Sequence, residues 1–297
     1  VERRTALRGG QVSPAVEQVA LIASDTTIDV VAKRATPGEL AAMRLLDVAE
    51  TALPAAATVG GSVFPRLLDF GNDEAGPWVV TPYYPGSPLD WDAEPPAAVY
   101  DALARLHQRH LGAIGLSPDL PRVDDDFLRS TFTGFAAAGI HRAAAAGGHP
   151  VHDRALQLLD RFADDDRLRA GLEILPPTLL HGDVYGSNVI SGDPPVLIDW
   201  GSARIGPALL DVTLAAGPTG LNAYRQAIPV DDLQFAIGAA WSIAVNNAMF
   251  LGEAAQRSPE FALQMLARAE AAVSELGKRL AVSPGSRGGR PRGEAGR

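Results

Sequence analysis

The chain contains no cysteine. That excludes disulfides, thiolate nucleophiles and cysteine-ligated zinc or iron–sulfur centres. Long apolar runs are also missing. The longest, from Ala236 to Phe250, is interrupted by Asn246 and Asn247, so it is too short and too broken to span a bilayer and predicts a buried helix. The start, Val1-Glu2-Arg3-Arg4, has no apolar stretch behind its charges, and no signal peptide is expected. Basic residues are in deficit, with 26 Lys and Arg against 35 Asp and Glu and a formal net charge of -9. A surface for nucleic-acid phosphates needs a basic patch, so neither nucleic acid nor a membrane is an expected partner of the main body. A cationic substrate fits the balance, and the expected location is cytoplasmic.

What remains is ordinary globular material. A length of 297 residues allows one large domain or two lobes and is ample for a core. Alanine replaces many larger aliphatics, which suggests closely packed helices. No internal repeat is present.

One stretch carries chemistry. Leu179-Leu180 lead into His181-Gly182-Asp183-Val184-Tyr185-Gly186-Ser187-Asn188, Val189-Ile190 leave it, and the apolar run Val196-Leu197-Ile198 ends in Asp199. The pattern predicts a turn between two short strand-like runs, then a hairpin through Ser191-Gly192-Asp193-Pro194-Pro195, with an acid closing the second strand. Asp183, Asn188 and Asp199 are thereby gathered at one end of a small sheet. Two carboxylates and an amide oxygen are hard ligands or proton acceptors, which suits magnesium and a hydroxyl being deprotonated. An isolated His-Gly-Asp is more often a plain turn. The asparagine five residues on and the strand-terminal Asp199 are what point to a site.

This arrangement resembles the catalytic segment of the aminoglycoside phosphotransferase family, kinase-like enzymes that act on small molecules. The family pattern is His-Gly-Asp, four residues, Asn, then a strand ending in Asp, and the chain matches it without a gap; the resemblance extends over about residues 16 to 275. It implies an α+β, bilobal, protein-kinase-like fold. A small N-terminal antiparallel sheet with one helix would occupy residues 1–81, a hinge 82–86, and a larger, mainly helical lobe 87–280, with a disordered tail at 281–297. It also implies ATP between the lobes and Mg2+ on its phosphates. On the carry-over Asp183 accepts or orients the substrate hydroxyl, Asn188 and Asp199 hold the magnesium, and His181 braces the loop. Gly206-Pro207 then opens a helix carrying Asp211, a structural acid behind the catalytic loop. Relatives usually have an aspartate between that glycine and proline, which this chain lacks.

The remaining candidates follow along the chain. Val16–Ala23 and Ile28–Ala32 read as strands, and residues 7–15, with Gly9, Gly10 and Ser13, are the candidate phosphate loop; a plain flexible turn is the alternative. Lys33, at a strand end, is the candidate for the α- and β-phosphates, against the alternative of a solvated lysine like its neighbour Arg34. Glu39 opens a helix running to Ala49 and is the acid expected to pair with Lys33, with Glu50 in reserve; the helix dipole alone also favours a first-turn glutamate. Val63–Phe70 and Trp78–Thr81 are strand candidates. Tyr83 and Tyr84, in Pro82-Tyr83-Tyr84-Pro85-Gly86, resemble the linker beside the adenine pocket. Ala97–Leu111 is a helix on which His107 packs structurally. Residues 112–149 lack periodicity, and Asp153–Phe162 is helical again. Asp164–Asp166 read as solvated surface, and Asp124, Asp125 and Asp126 as surface acids or as receivers of substrate amino groups. Trp241 lies on a later helix, either core or at the substrate cleft.

Together these predict a phosphotransferase moving the γ-phosphoryl group of ATP to a hydroxyl of a small molecule, an aminoglycoside or other antibiotic first, with no covalent phospho-enzyme. The alternatives are a metabolic kinase of the homoserine, choline or sugar type, and a nucleotide-binding regulatory module that transfers nothing.

Overall fold

The computed structural model describes residues 3–7, 16–23, 26–51, 62–113, 115–215 and 217–282. Gly9, Gly10 and Ser13, the tail from Ser283, and the side chain of Glu50 lie outside the described residues.

The chain opens with five antiparallel strands, β1 (Arg3–Leu7), β2 (Val16–Ala23), β3 (Thr26–Arg34), β4 (Asp69–Asp73) and β5 (Gly76–Pro82), in the order β1-β2-β3-β5-β4. β3 is central because its run of threonine, isoleucine and valine suits a strand with neighbours on both sides. Its register sets Lys33 opposite Val16 on β2 and Val79 on β5. Between β3 and β4 stands α1 (Pro37–Thr51). Thr36 starts this helix: its hydroxyl accepts from the Glu39 N–H at 3.0 Å, and proline occupies the first helical position. Ala42, Met43 and Leu46 are the buried stripe.

The strand expected at Val63–Phe70 forms only from Asp69. Pro65 lacks an N–H for a ladder, and the run instead docks on the stretch around Asp199: the Val63 carbonyl accepts from Leu197 N at 2.7 Å and Phe64 meets Trp200 edge-on at 5.5 Å.

The rest of the chain is mainly helical: α2 (Ala97–Arg109), α3 (Asp125–Ser130), a π-helical turn Thr131–Ala136, α4 (Ala137–Ala146), α5 (Pro150–Ala163) and α6 (Asp166–Ile174). Four short strands follow, β6 (Pro177–Leu180), β7 (Val189–Ile190), β8 (Val196–Leu197) and β9 (Arg204–Pro207), then α7 (Leu209–Ala215), α8 (Pro218–Ala227), α9 (Asp232–Met249), α10 (Leu251–Arg257) and α11 (Pro259–Val282). Sheet and helix first, larger helical part second, is the order of a bilobal protein-kinase-like fold.

Local chemistry corrects several expectations. Residues 112–149 are not featureless, since Asp124 caps α3 through a 2.8 Å bond from Phe127 N. Asp165 is a helix cap, accepting from Arg167 N at 2.9 Å, not loose surface charge. Gly206-Pro207 ends β9, which pairs with β6, and the helix begins only at Leu209.

Packing sorts the chain into two compact units, Val1–Val123 with Pro176–Pro229, and Asp124–Leu175 with Val230–Arg297. This grouping differs from the division at 82–86 by chain order. In the second unit Phe132, Ile140, Leu158, Leu159, Trp241 and Leu266 form the core. Much of the alanine is interior, with Ala136, Ala155, Ala244, Ala248, Ala262 and Ala269 fully buried. No single helix among the described residues is long and apolar enough to cross a membrane. The Ala236–Phe250 run forms most of α9, which buries Trp241, Val245 and Met249.

Candidate active site

All the polar groups that converge on the His-Gly-Asp segment belong to the first unit. β6 is buried and delivers the chain to His181, which has no exposed surface. The His181 ring is fixed by two bonds: Nε2 lies 2.9 Å from the Ile198 carbonyl and Nδ1 lies 3.2 Å from the Asp183 N–H. A carbonyl only accepts and an N–H only donates, so the neutral ring that serves both carries its hydrogen on Nε2. Trp200 meets its face at 4.7 Å and 68°. Gly182 then turns with φ +83°, and a Cβ there would collide with the Ser202 carbonyl oxygen. Only glycine fits.

Asp183 follows that turn. The Asn188 side-chain amide reaches back across the loop, donating to the Asp183 carbonyl at 2.8 Å and its Oδ2 at 2.9 Å. Both contacts use the amide nitrogen, and the Asn188 Oδ1 could serve as a ligand oxygen. Burial pushes the Asp183 carboxyl above its ordinary range, aided by the Asp199 charge and opposed by His181, Asn188 and Arg204.

Behind the loop lies a carboxylate with no access to water. Asp211, on α7, is 1% exposed. Its Oδ2 accepts from His181 N at 2.7 Å and its Oδ1 from Gly182 N at 2.7 Å. His107 on α2 approaches the same Oδ2 through Nε2 at 3.3 Å, while its Nδ1 lies 2.8 Å from the Tyr224 hydroxyl on α8. Burial works against the Asp211 charge, but His107, His181 and the loop N–H groups outweigh it and hold the carboxyl below its usual range. The chain Tyr224, His107, Asp211 thus fixes the backbone that presents Asp183. Sequence reading gave His107 packing alone and missed Tyr224. The only available signal was a histidine beside an apolar helix face, which does not name its partners.

A second cluster joins β3, α1 and the end of the hairpin. The Lys33 ammonium lies 2.5 Å from Glu39 Oε1 and donates to Asp199 Oδ1 at 2.9 Å. Burial alone would lower the lysine, yet the two carboxylates together hold it above its ordinary value. Glu39 is 1% exposed and its second oxygen, Oε2, has no hydrogen-bond partner; burial therefore raises its carboxyl despite Lys33. Thr36-Pro37-Gly38-Glu39 has the spelling of a capping box, in which the glutamate would reach back to the cap. Here its carboxylate goes to Lys33 instead. Asp199 is half-buried, which works against its charge, but Lys33 outweighs that and holds it below the usual carboxylate range. Its backbone is left-handed, φ 63° and ψ 70°, the sole non-glycine positive φ among the described residues. Such conformations persist where the surroundings over-determine them, and they cluster at functional sites.

The donor set fits a nucleotide-bound magnesium ion. Among the described residues no group of three or more His, Asp or Glu is arranged to hold a metal. Mg2+ typically takes one or two carboxylates and fills its remaining positions with phosphate oxygens and water. Asp199 and the Asn188 Oδ1 are donors of that kind and could hold such an ion, and the Lys33 ammonium is bonded to Asp199.

The other expected residues are distributed as follows. Tyr83 and Tyr84 follow β5 and are half-buried; Tyr83 N donates to the Asp29 carbonyl at 3.0 Å, and the Tyr84 hydroxyl accepts from Arg66 N at 2.9 Å. Asp124, Asp125, Asp126 and Trp241 belong to the second unit. Asp124 is the α3 cap already described, and Asp125 and Asp126 are exposed in its first turn. Trp241 has no exposed surface and donates its indole N–H to the Leu168 carbonyl at 2.8 Å, so it serves as core.

Comparison with known proteins agrees with this geometry. Among solved structures, a choline kinase from Cryptosporidium parvum Iowa II superposes with a TM-score of 0.58 at 10% identity, covering 96% of this chain and 92% of that one. The GDP complex of a mutant aminoglycoside 2′-phosphotransferase-IIIa gives 0.53 at 15% identity, covering 94% of each chain. A spectinomycin phosphotransferase with ADP and spectinomycin gives 0.50 at 13%, covering 93% and 92%. At such identities the likeness shows the fold alone. No curated protein matches. The family model described as "Phosphotransferase enzyme family" matches residues 13–243, well over half the chain and all of the site above. The chain belongs to the phosphotransferase enzyme family.

Proposed function

We propose that the protein transfers the γ-phosphoryl group of ATP to a hydroxyl of a small molecule, an aminoglycoside or other antibiotic being the first class to test. The observation that carries this reading is the pair of coupled clusters. A half-buried cation, Lys33, is held between Glu39 and Asp199, and a carboxylate, Asp183, is clasped by Asn188 within the same unit.

In this reading Lys33 binds the α- and β-phosphates, and Glu39 keeps its ammonium in place. Asn188 and Asp199 would hold Mg2+, which neutralises phosphate charge when bound. Tyr83 and Tyr84 would border the adenine, and Asp124, Asp125 and Asp126 would receive amino groups of a cationic substrate. The acceptor oxygen forms a bond to the γ-phosphorus while the bond to the β–γ bridging oxygen breaks. Asp183 takes or directs the hydroxyl proton, and ADP leaves with no phospho-enzyme. A carboxyl whose pKa is raised by burial is a better proton acceptor than an exposed one, provided it remains ionised at working pH.

The test is incubation with ATP and Mg2+ against separate pools of aminoglycosides, macrolides, peptide antibiotics, sugars and amino alcohols, with mass spectrometry for the gain of one phosphoryl group. The expected result is a product in one pool that Asp183→Asn does not make. Absence of product in every pool, with no acceptor-dependent ADP release, overturns the reading. Product in the amino-alcohol or sugar pool alone moves the assignment to a metabolic kinase.

A further inference from the structure

The segment that follows β5 lies along the catalytic segment and carries an aromatic side chain that the chemistry above does not use. It is tied to β7 by backbone bonds, Ser191 N to the Ser87 carbonyl at 2.9 Å and Leu89 N to the Val189 carbonyl at 3.0 Å. The Ser191 hydroxyl donates to that same Ser87 carbonyl at 2.9 Å. Farther on, the Ala93 N–H closes a turn on the Asp90 carbonyl at 3.0 Å. This turn presses on the catalytic loop so closely that a Cβ at Gly186 would run into the carbonyl oxygens of both Asp90 and Ala93. Glu94 ties the far side, its Oε1 accepting from Gly220 N at 2.7 Å. The turn is therefore held from three directions by short contacts.

Trp91 sits on it. Its ring is stacked on Tyr185 with centroids 5.7 Å apart and planes at 19°, yet the residue keeps 41% of its surface exposed. Tyr185 is two residues beyond Asp183, and its N–H donates to the Asp183 carbonyl at 3.0 Å. A large aromatic is thus presented at the surface on a rigid turn, stacked on the loop that supplies the proton-accepting carboxylate. The exposed remainder is what a ligand can use.

We infer that Trp91 and Tyr185 form an aromatic platform beside Asp183 that takes the flat apolar face of a ring bearing the acceptor hydroxyl, so that the site selects cyclic alcohols over acyclic ones. The inference rests on the phosphotransferase reading and narrows its substrate class. The C–H face of a sugar or cyclitol and the π face of an aromatic ring share the needed chemistry, since both stack on an indole. A flexible acyclic alcohol without a quaternary ammonium offers neither such a face nor a cation that seats on an aromatic ring, and it loses more rotational freedom on binding.

The experiment measures ADP release and phosphorylated product with wild type, Trp91→Ala, Trp91→Phe and Tyr185→Phe, with thermal midpoints for each. One arm holds sugars, cyclitols and amino-sugar antibiotics, a second holds phenolic and benzylic alcohols, and a third holds homoserine and ethanolamine, acyclic alcohols without a quaternary ammonium. Wild type is expected to turn over a member of a cyclic arm in preference to the acyclic arm. With that acceptor, Trp91→Ala should raise KM about 3- to 10-fold, the range of a lost aromatic contact, while KM for ATP stays put. Trp91→Phe keeps a stacking face and should recover most of the loss, and Tyr185→Phe, which keeps the ring under Trp91, should stay near wild type. Which cyclic arm responds distinguishes carbohydrate from aromatic acceptors. Three outcomes overturn the platform while leaving the kinase reading standing: preference for the acyclic arm, an acceptor KM in Trp91→Ala equal to wild type, or an equal rise in both KM values with a lowered thermal midpoint. The last would mark Trp91 as bracing alone. No turnover in any arm or with the macrolide and peptide pools overturns both.

Discussion

Replacing Asp211 by asparagine tests whether the catalytic loop is held from behind by one buried charge. The carboxylate accepts from His181 N and Gly182 N, both at 2.7 Å, and faces His107 Nε2 at 3.3 Å. An asparagine of the same shape has one oxygen, so its –NH2 must face at least one of these donors. A buried N–H left without a partner costs about 1–3 kcal/mol, and the surviving bond drops from charge-assisted to neutral strength, roughly 1 kcal/mol more. The sum is about 2–4 kcal/mol, which for a chain of this size lowers the thermal midpoint by roughly 3–7 °C. The loop that presents Asp183 shifts as well. A misplacement of about 1 Å at a reacting group is worth on the order of 10² in rate, so kcat should fall by that order while KM for ATP changes little. Differential scanning calorimetry beside steady-state kinetics reads both effects. The pH dependence adds a sign. A carboxyl held below its ordinary value contributes stability that is complete above the unfolded pKa and disappears as pH falls through the folded one. The gap between wild type and Asp211→Asn should therefore be constant near neutrality and close only in acid, below the ordinary value of 3.8. A variant with the thermal midpoint and kcat of wild type would refute the brace.

Other consequences are more direct. Lys33→Met should abolish tight ATP binding and also destabilise the fold by about 3–5 kcal/mol, because Glu39 is left as an unpaired buried carboxylate; Lys33→Met/Glu39→Gln should recover part of that stability but not the binding. Arg34→Ala should do little in either assay, since its 2.6 Å pair with Asp73 is exposed at both ends and screened by solvent; equal effects at 33 and 34 in nucleotide titration would contradict this. Asp183→Asn should cut kcat by about 10²–10⁴ with Mg2+–ATP binding retained, whereas Asp199→Asn should weaken the Mg2+ dependence of nucleotide binding itself; calorimetric titration with and without Mg2+ would expose a reversal of the two roles. Because burial raises the Asp183 carboxyl, the acid limb of kcat/KM should lie above the range of an exposed aspartate; a limb at the ordinary value would remove Asp183 as the group that must be ionised.

How much of this was legible beforehand depended on how local each feature is. His181, Gly182, Asp183 and Asn188 lie within eight residues, and Asp199 closes the next strand, so spacing alone could announce them. Turn residues and short apolar runs are near-neighbour properties that survive without tertiary knowledge. The same holds for the β2–β3 pair and the amphipathic stripe of α1, while the fold class followed from the family resemblance that the His-Gly-Asp segment carries. Lys33 and Arg34 could be ranked by alternation along β3, but that Lys33 faces both Glu39 and Asp199 required a sheet, a helix and a hairpin end to meet across 166 residues of chain. His107, Asp211 and Tyr224 come from three helices, and nothing in their spacing announces that they share hydrogen bonds. The stacking of Trp91 on Tyr185 depends on the absence of a side chain at Gly186, which lets two backbones touch. The sequence by itself determined which chemistry-bearing residues the chain owns and which short turns present them. Tertiary structure alone decided which are buried and paired, because desolvation and hydrogen bonding act through distance in space, not along the chain.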